Sequence, residues 1–178
     1  MLGSCSSRDA AEARWDASAL CCHIPSEGLT LTLPDSADWQ VAPLDSLPGG
    51  VLFCAADPAA GLCVMLIAHP VAYDVDISRY TPEAASAVVS AITRQPTDTA
   101  SVTYAPPIIS HDTYPGGRRT VRFSAGVEAA GSPGAIYSGC IFSAEGHLLA
   151  LVCLEPADAP SEIRALAAQV LDGLSFTH

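Results

Sequence analysis

The sequence predicts an α+β domain in which an antiparallel β-sheet is flanked by helices. Three observations lead there. Most apolar stretches are short and bounded by glycine- and proline-rich turns, the mark of strands. Two segments, 81–95 and 161–173, switch instead to helical spacing. Successive strands are joined by brief connections, so antiparallel pairing needs only local hairpins.

Taken in order, residues 8–22 (RDAAEARWDASALCC) are alanine-rich and predict a short helix stopped by His23-Ile24-Pro25. In GLTLTLP, Leu29, Leu31 and Leu33 alternate with threonines, a strand with one apolar face. DSADWQVAPLDSLPGG is turn-rich and reads as a loop anchored by Trp39. VLFCAA (51–56) and LCVMLIAH (62–69) flank Pro58 and Gly61 and predict a hairpin.

The first well-signalled helix follows. Thr81 suits the N-cap, Pro82 the first helical position, and Glu83 the positive end of the dipole. Ala85, Val88, Val89 and Ile92 share one face, and Pro96 ends it. SVTYAPPIISHDTY is interrupted by Pro106-Pro107, which bars it from the middle of a sheet. RRTVRFSAGVEA and AIYSGCIFS predict two longer strands around 131–134, and HLLALVCLE a further hairpin partner. The closing helix carries Ile163, Leu166, Ala167, Val170, Leu171 and Leu174 as its stripe, with Gly173 at its end.

Composition narrows the function classes. The chain has 178 residues, about one domain, and a hydrophobic content of 49%. No run approaches the roughly 18 to 20 apolar residues of a membrane span. Nineteen acidic residues against eight arginines give a net charge of −11, which disfavours nucleic acid and anionic lipid as partners. Lysine is absent, which excludes Schiff-base lysine chemistry. Seven cysteines occur with no C-x-x-C, so neither a thioredoxin-type site nor a zinc ribbon is indicated. No cofactor and no metal centre are expected.

GLTLTLPDSADW (28–39) and the terminal GHLLALVCLEP…SEIRALAAQVLDGLSF (146–176) together resemble the PsbP-like superfamily. The first is similar to that family's opening strand, proline and tryptophan; the second is similar to its last strand, packing helix and small-aromatic tail. The resemblance spans 28–176 and implies an α/β/α sandwich, with residues 1–27 as a separate N-terminal segment. The family includes an extrinsic photosystem II subunit, a Ran-binding nuclear import factor and bacterial envelope lipoproteins of the DcrB and LpqN types. Its members mostly bind partners or assist assembly, so the resemblance implies a non-enzymatic role and assigns no site residue.

Several constellations in the residues themselves merit testing. If the first hairpin turns about Pro58-Ala59, Cys54 and Cys63 fall opposite one another, with Cα atoms about 4.5 to 5.5 Å apart, within disulfide range. Cys140 and Cys153 lie on another hairpin, offset from direct opposition. In a reducing compartment all of these are packing thiols. Cys21-Cys22-His23 resembles a soft-metal cluster but has no spaced further ligand. Asp74, Asp76 and Ser78 begin like a calcium loop, yet Arg79 and Ala85 replace the glycine and the bidentate glutamate.

Arg118, Arg119 and Arg122 cluster in one strand; alternation puts Arg118 and Arg122 on one face and Arg119 on the other. They are expected either to pair with surface carboxylates or to bind an anion or acidic partner. His111-Asp112 has the residue types of half a triad, but neighbouring side chains on a strand point opposite ways, which argues against it.

Leu2-Gly3-Ser4-Cys5 satisfies a lipobox with Cys5 as the acylated residue. The expected role is therefore an envelope lipoprotein domain that binds a protein partner or supports assembly, touching membrane only through lipid on Cys5. The alternatives are a cytoplasmic binding or chaperone-like module with free thiols and, more distantly, a small hydrolase.

Overall fold

Alternating apolar residues in the sequence build two antiparallel sheets. A computed structural model describes residues 13–71, 75–93, 102–114, 117–129, 134–144 and 146–176. In chain order the elements are β1 (Arg14–Asp16), β2 (Cys21–Ile24), β3 (Leu29–Thr32), β4 (Gln40–Val41), β5 (Val51–Asp57) and β6 (Leu62–Pro70). They continue with α1 (Pro82–Thr93), β7 (Val102–Tyr104), β8 (Ile108–Thr113), β9 (Arg119–Ala129), β10 (Ala135–Ala144), β11 (His147–Pro156), α2 (Ser161–Asp172) and β12 (Leu174–Phe176).

The large sheet runs β4-β5-β6-β11-β10-β9-β7, with β8 also on β9; the small one runs β1-β2-β3-β12. Both β7 and β8 pair with β9, the residues between them holding Pro106-Pro107, so the double proline lies at a sheet edge as expected. β10 and β11 are hydrophobic on both sides because the sheet is covered twice. Cys140, Phe142, Leu149, Leu151 and Cys153 face α2 and the small sheet; Ile141, Leu148, Ala150 and Val152 face α1 and Ile77. Helices therefore lie on both faces, but a second sheet shares one face with α2, and sheet dominates the fold.

The helix starts where the sequence sets it. Thr81 caps α1, its Oγ1 accepting from the Ala84 amide and its carbonyl from that of Ala85. Among the described residues, no helix is long and apolar enough to cross a membrane.

Three expectations are corrected. The described part of the expected helix at 8–22 is instead the β1–β2 hairpin, and it pairs with β3 in the small sheet. Asp16 closes the turn by accepting from the amides of Ser18 and Ala19. Cys22 and Ile24 then alternate into the core beside Leu29 and Leu31. A helix of that length is marginal on alanine propensity alone, and tertiary pairing wins. Next, the tail after α2 is strand β12, paired with β3 through Leu174 and Leu31. Gly173 is needed at the junction: a β-carbon there would stand 2.1 Å from the Thr32 carbonyl oxygen.

The third correction concerns the first hairpin. Its turn is the four residues Pro58–Gly61, closed by Asp57 opposite Leu62. Cys54 therefore faces Met65, and Cys63 faces Ala56, so the two cysteines are diagonal neighbours rather than opposed. The loop at 35–50 is anchored by Trp39, whose Nε1 donates to the Pro34 carbonyl at 2.8 Å; β4 and a 3-10 turn at 44–46 add order to it.

Candidate functional site

β9 sends alternate side chains to opposite faces, and this divides the three arginines. Arg118, just before the strand, donates from Nη2 to the Ser143 carbonyl at 2.6 Å. Its guanidinium also lies 5.8 Å from the Phe142 ring centre and 5.3 Å from that of Phe176. These rings meet edge-on at 5.1 Å. Arg122 reaches Asp112 at 2.8 Å and Asp172 at 3.2 Å, over the Tyr114 ring. Both cations are committed to internal partners and tie β8, α2 and β12 together.

Arg119 points the other way and is exposed. With Ser78, His111, Asp112, Thr113 and Thr120 it lines an open polar recess of about 240 Å³. His111 and Thr113 share its face, since they pair with Val121 and Arg119 respectively. The carboxylate of Asp112 belongs to Arg122, as the alternation of His111 and Asp112 requires. Asp76, two residues before Ser78, is bound by Arg79 at 3.0 Å and also feels the positive charge of Arg119. The recess opens beside β8, an edge strand with five of its six residues exposed. One of them is Ile108, 76% exposed.

The thiols differ sharply in environment. Cys22, Cys140 and Cys153 are buried, and desolvation pushes their thiols up, Cys140 to about 11. Cys54 and Cys63 are half-buried, with sulfurs 4.0 Å apart. The hydrogen bond between the two sulfurs, in which either can be the donor, lowers the Cys54 thiol to about 7, while that same bond and burial raise Cys63. Cys5 and Asp74 lie outside the described residues.

Sequence reading missed one thiol–imidazole contact. Cys21 and His23, two apart on β2, stand on one face with Sγ and Nε2 3.0 Å apart; His23 Nδ1 meets Thr30 Oγ1 at 3.0 Å. This has the outline of a nucleophile, base and orienter, yet Cys21 is only 6% exposed. Burial raises its pKa, opposite to the activation a catalytic thiol needs. Among the described residues no group of three or more His, Cys, Asp or Glu is placed to hold a metal.

No protein-family model matches the sequence, and no curated protein matches it. Solved structures do match it in shape. The solution structure of cyanobacterial PsbP (CyanoP) from Synechocystis superposes with a TM-score of 0.57 at 12% identity, over 99% of both chains. The crystal structure of the Saccharomyces cerevisiae Ran-binding protein Mog1p gives 0.52 at 11% identity, over 84% of this chain and 90% of Mog1p. At such identities the likeness concerns fold alone. The two sheets, the covering helices and these superpositions give the chain the PsbP-like fold that PsbP and Mog1p share.

Proposed function

We propose that this chain is a non-enzymatic protein-binding domain that takes a carboxylate-bearing segment of its partner at the β8 edge. The observation that carries the reading is the pairing of exposed Ile108 on an edge strand with a recess lined by Arg119 and His111. An unpaired strand edge is a ready template for another chain. In a protein of net charge −11, the exposed Arg119 guanidinium, whose charge acts on Asp76 but which forms no ion pair with it or with any other carboxylate among the described residues, selects for opposite charge. A domain of this fold in Mog1p is Ran-binding, which supports a binding role without identifying the partner here.

The setting we propose is a bacterial cell envelope, with lipid on Cys5 as the anchor, supported by the lipobox Leu2-Gly3-Ser4-Cys5. A cytoplasmic module is the second reading, favoured by Cys22, Cys140 and Cys153 being packed as free thiols in the core. A photo-reactive residue at position 108 in cells tests the site. A discrete cross-linked partner, lost on Arg119→Glu, is expected; labelling indifferent to that charge reversal overturns the reading. Metabolic labelling with a fatty acid, abolished by Cys5→Ser, tests the anchor.

A further inference from the structure

We propose that Cys54, Cys63 and Met65 form a three-sulfur site for a soft monovalent cation, copper(I) by its chemistry. The strand register places these residues together. Met65 stands directly opposite Cys54, and Cys63 precedes Met65 by two positions on the same strand. Alternation therefore turns all three side chains to one face of the large sheet, and all three are half-buried there. Direct and diagonal neighbours across antiparallel strands are within reach of long side chains. The residue opposite Cys63 is Ala56, a small side chain.

The spacing of the thiols matches a shared ion better than a covalent bond. Their sulfurs are 4.0 Å apart, whereas a disulfide needs about 2.05 Å. Two sulfurs each about 2.3 Å from one ion, the usual zinc–thiolate length, stand about 4.0 Å apart when the angle between them is trigonal. The third corner we assign to the Met65 thioether, since Met65 stands opposite Cys54 on the neighbouring strand. Among the described residues, Met65 is named in neither hydrophobic core cluster.

The donor set selects the metal. Thiolate and thioether together are soft ligands that favour copper(I), while zinc takes four ligands and prefers nitrogen, thiolate or carboxylate. No nearby His, Asp or Glu joins the two cysteines among the described residues. Binding involves no electron transfer: the ion bonds to the two thiolate sulfurs and the thioether, and any thiol proton is released to solvent.

The test uses the full chain, reduced with a phosphine and kept anaerobic, with copper(I) offered as its bicinchoninate complex. The wild type is expected to withdraw one more equivalent than the Cys54→Ser/Cys63→Ser double variant, which keeps every other cysteine. Met65→Leu, a volume-conserving change that leaves the fold intact, is expected to weaken binding about tenfold, the scale of one lost ligand or its support. X-ray absorption should count three sulfur neighbours in the wild type and two in Met65→Leu. Equal copper uptake by the wild type and the double variant overturns the site. A two-sulfur spectrum unaffected by Met65→Leu overturns it as well.

Discussion

Tyr114 donates its hydroxyl proton to the carbonyl of Leu171 at 2.8 Å, bonding the residue after β8 to the last turn of α2. Helix C-terminal carbonyls have no partner within the helix, and here a buried phenol supplies one. Tyr114→Phe leaves that carbonyl unpaired in the core, so a loss of about 1 to 2 kcal/mol is expected in urea unfolding. Unfolding indistinguishable from wild type would show that the bond contributes nothing.

Gly139 is enclosed by neighbouring strands. A β-carbon there would lie 2.3 Å from the Leu151 carbonyl oxygen and 2.7 Å from the Phe123 ring. The ring is 4% exposed and has little room to move. Gly139→Ala is expected to cost about 3 kcal/mol and lower Tm by roughly 6 to 12 °C. Differential scanning calorimetry measures both.

The arginines should separate by role. Arg122→Ala breaks contacts with Asp112, Asp172 and the Tyr114 ring, and about 1 kcal/mol of stability is expected to go with them. Arg119→Ala should change stability by less than about 0.5 kcal/mol, as an exposed substitution does. A large loss at Arg119 would give it a structural task instead of a binding one.

Cys54 has a pKa lowered to about 7 by its hydrogen bond with Cys63. Its alkylation by iodoacetamide, followed by peptide mass spectrometry, should rise with pH through about 7. Cys63→Ala removes the hydrogen-bond partner, and the rise should move towards the ordinary thiol range, about 8.5. An unshifted profile argues against the thiol–thiolate bond.

Glu155 is 6% exposed, and desolvation raises its carboxyl pKa, with opposition from Arg164. A pKa higher in the folded than in the unfolded state stabilises the fold fully below the unfolded value. That contribution is lost as pH rises through the folded one. Glu155→Gln should therefore gain stability relative to wild type at pH 7, with the difference shrinking towards pH 4. Paired melting curves at the two pH values check the sign.

Local chemistry made much of this fold legible. The Thr81-Pro82-Glu83 start of α1 and the Leu29, Leu31 alternation of β3 each carry their structure in adjacent residues. The misplaced features depend on distant partners. Alanines at 8–22 favour helix until Cys22 and Ile24 find Leu31 and Leu29, and β12 has no meaning without β3. The Cys54–Cys63 register turned on one glycine: Gly61, with φ of +65°, lets the turn run to four residues, and recentring it moves every opposed pair by two. Alternation divided Arg118 and Arg122 from Arg119 correctly. The sequence carried no signal that Phe176 and Tyr114 would hold the first two, because those rings come from other parts of the chain.

The pairing of Leu31 with Leu174 joins positions about 140 residues apart, and such long-range closure is entropically slow. Until the tail docks, one side of β3 has no neighbour, and its row of amides and carbonyls is open to any passing extended segment. Completion of the small sheet thus waits on β12, which follows β3 by about 140 residues. In the cell, the interval before that final zipping is when this molecule most needs protection from its own copies.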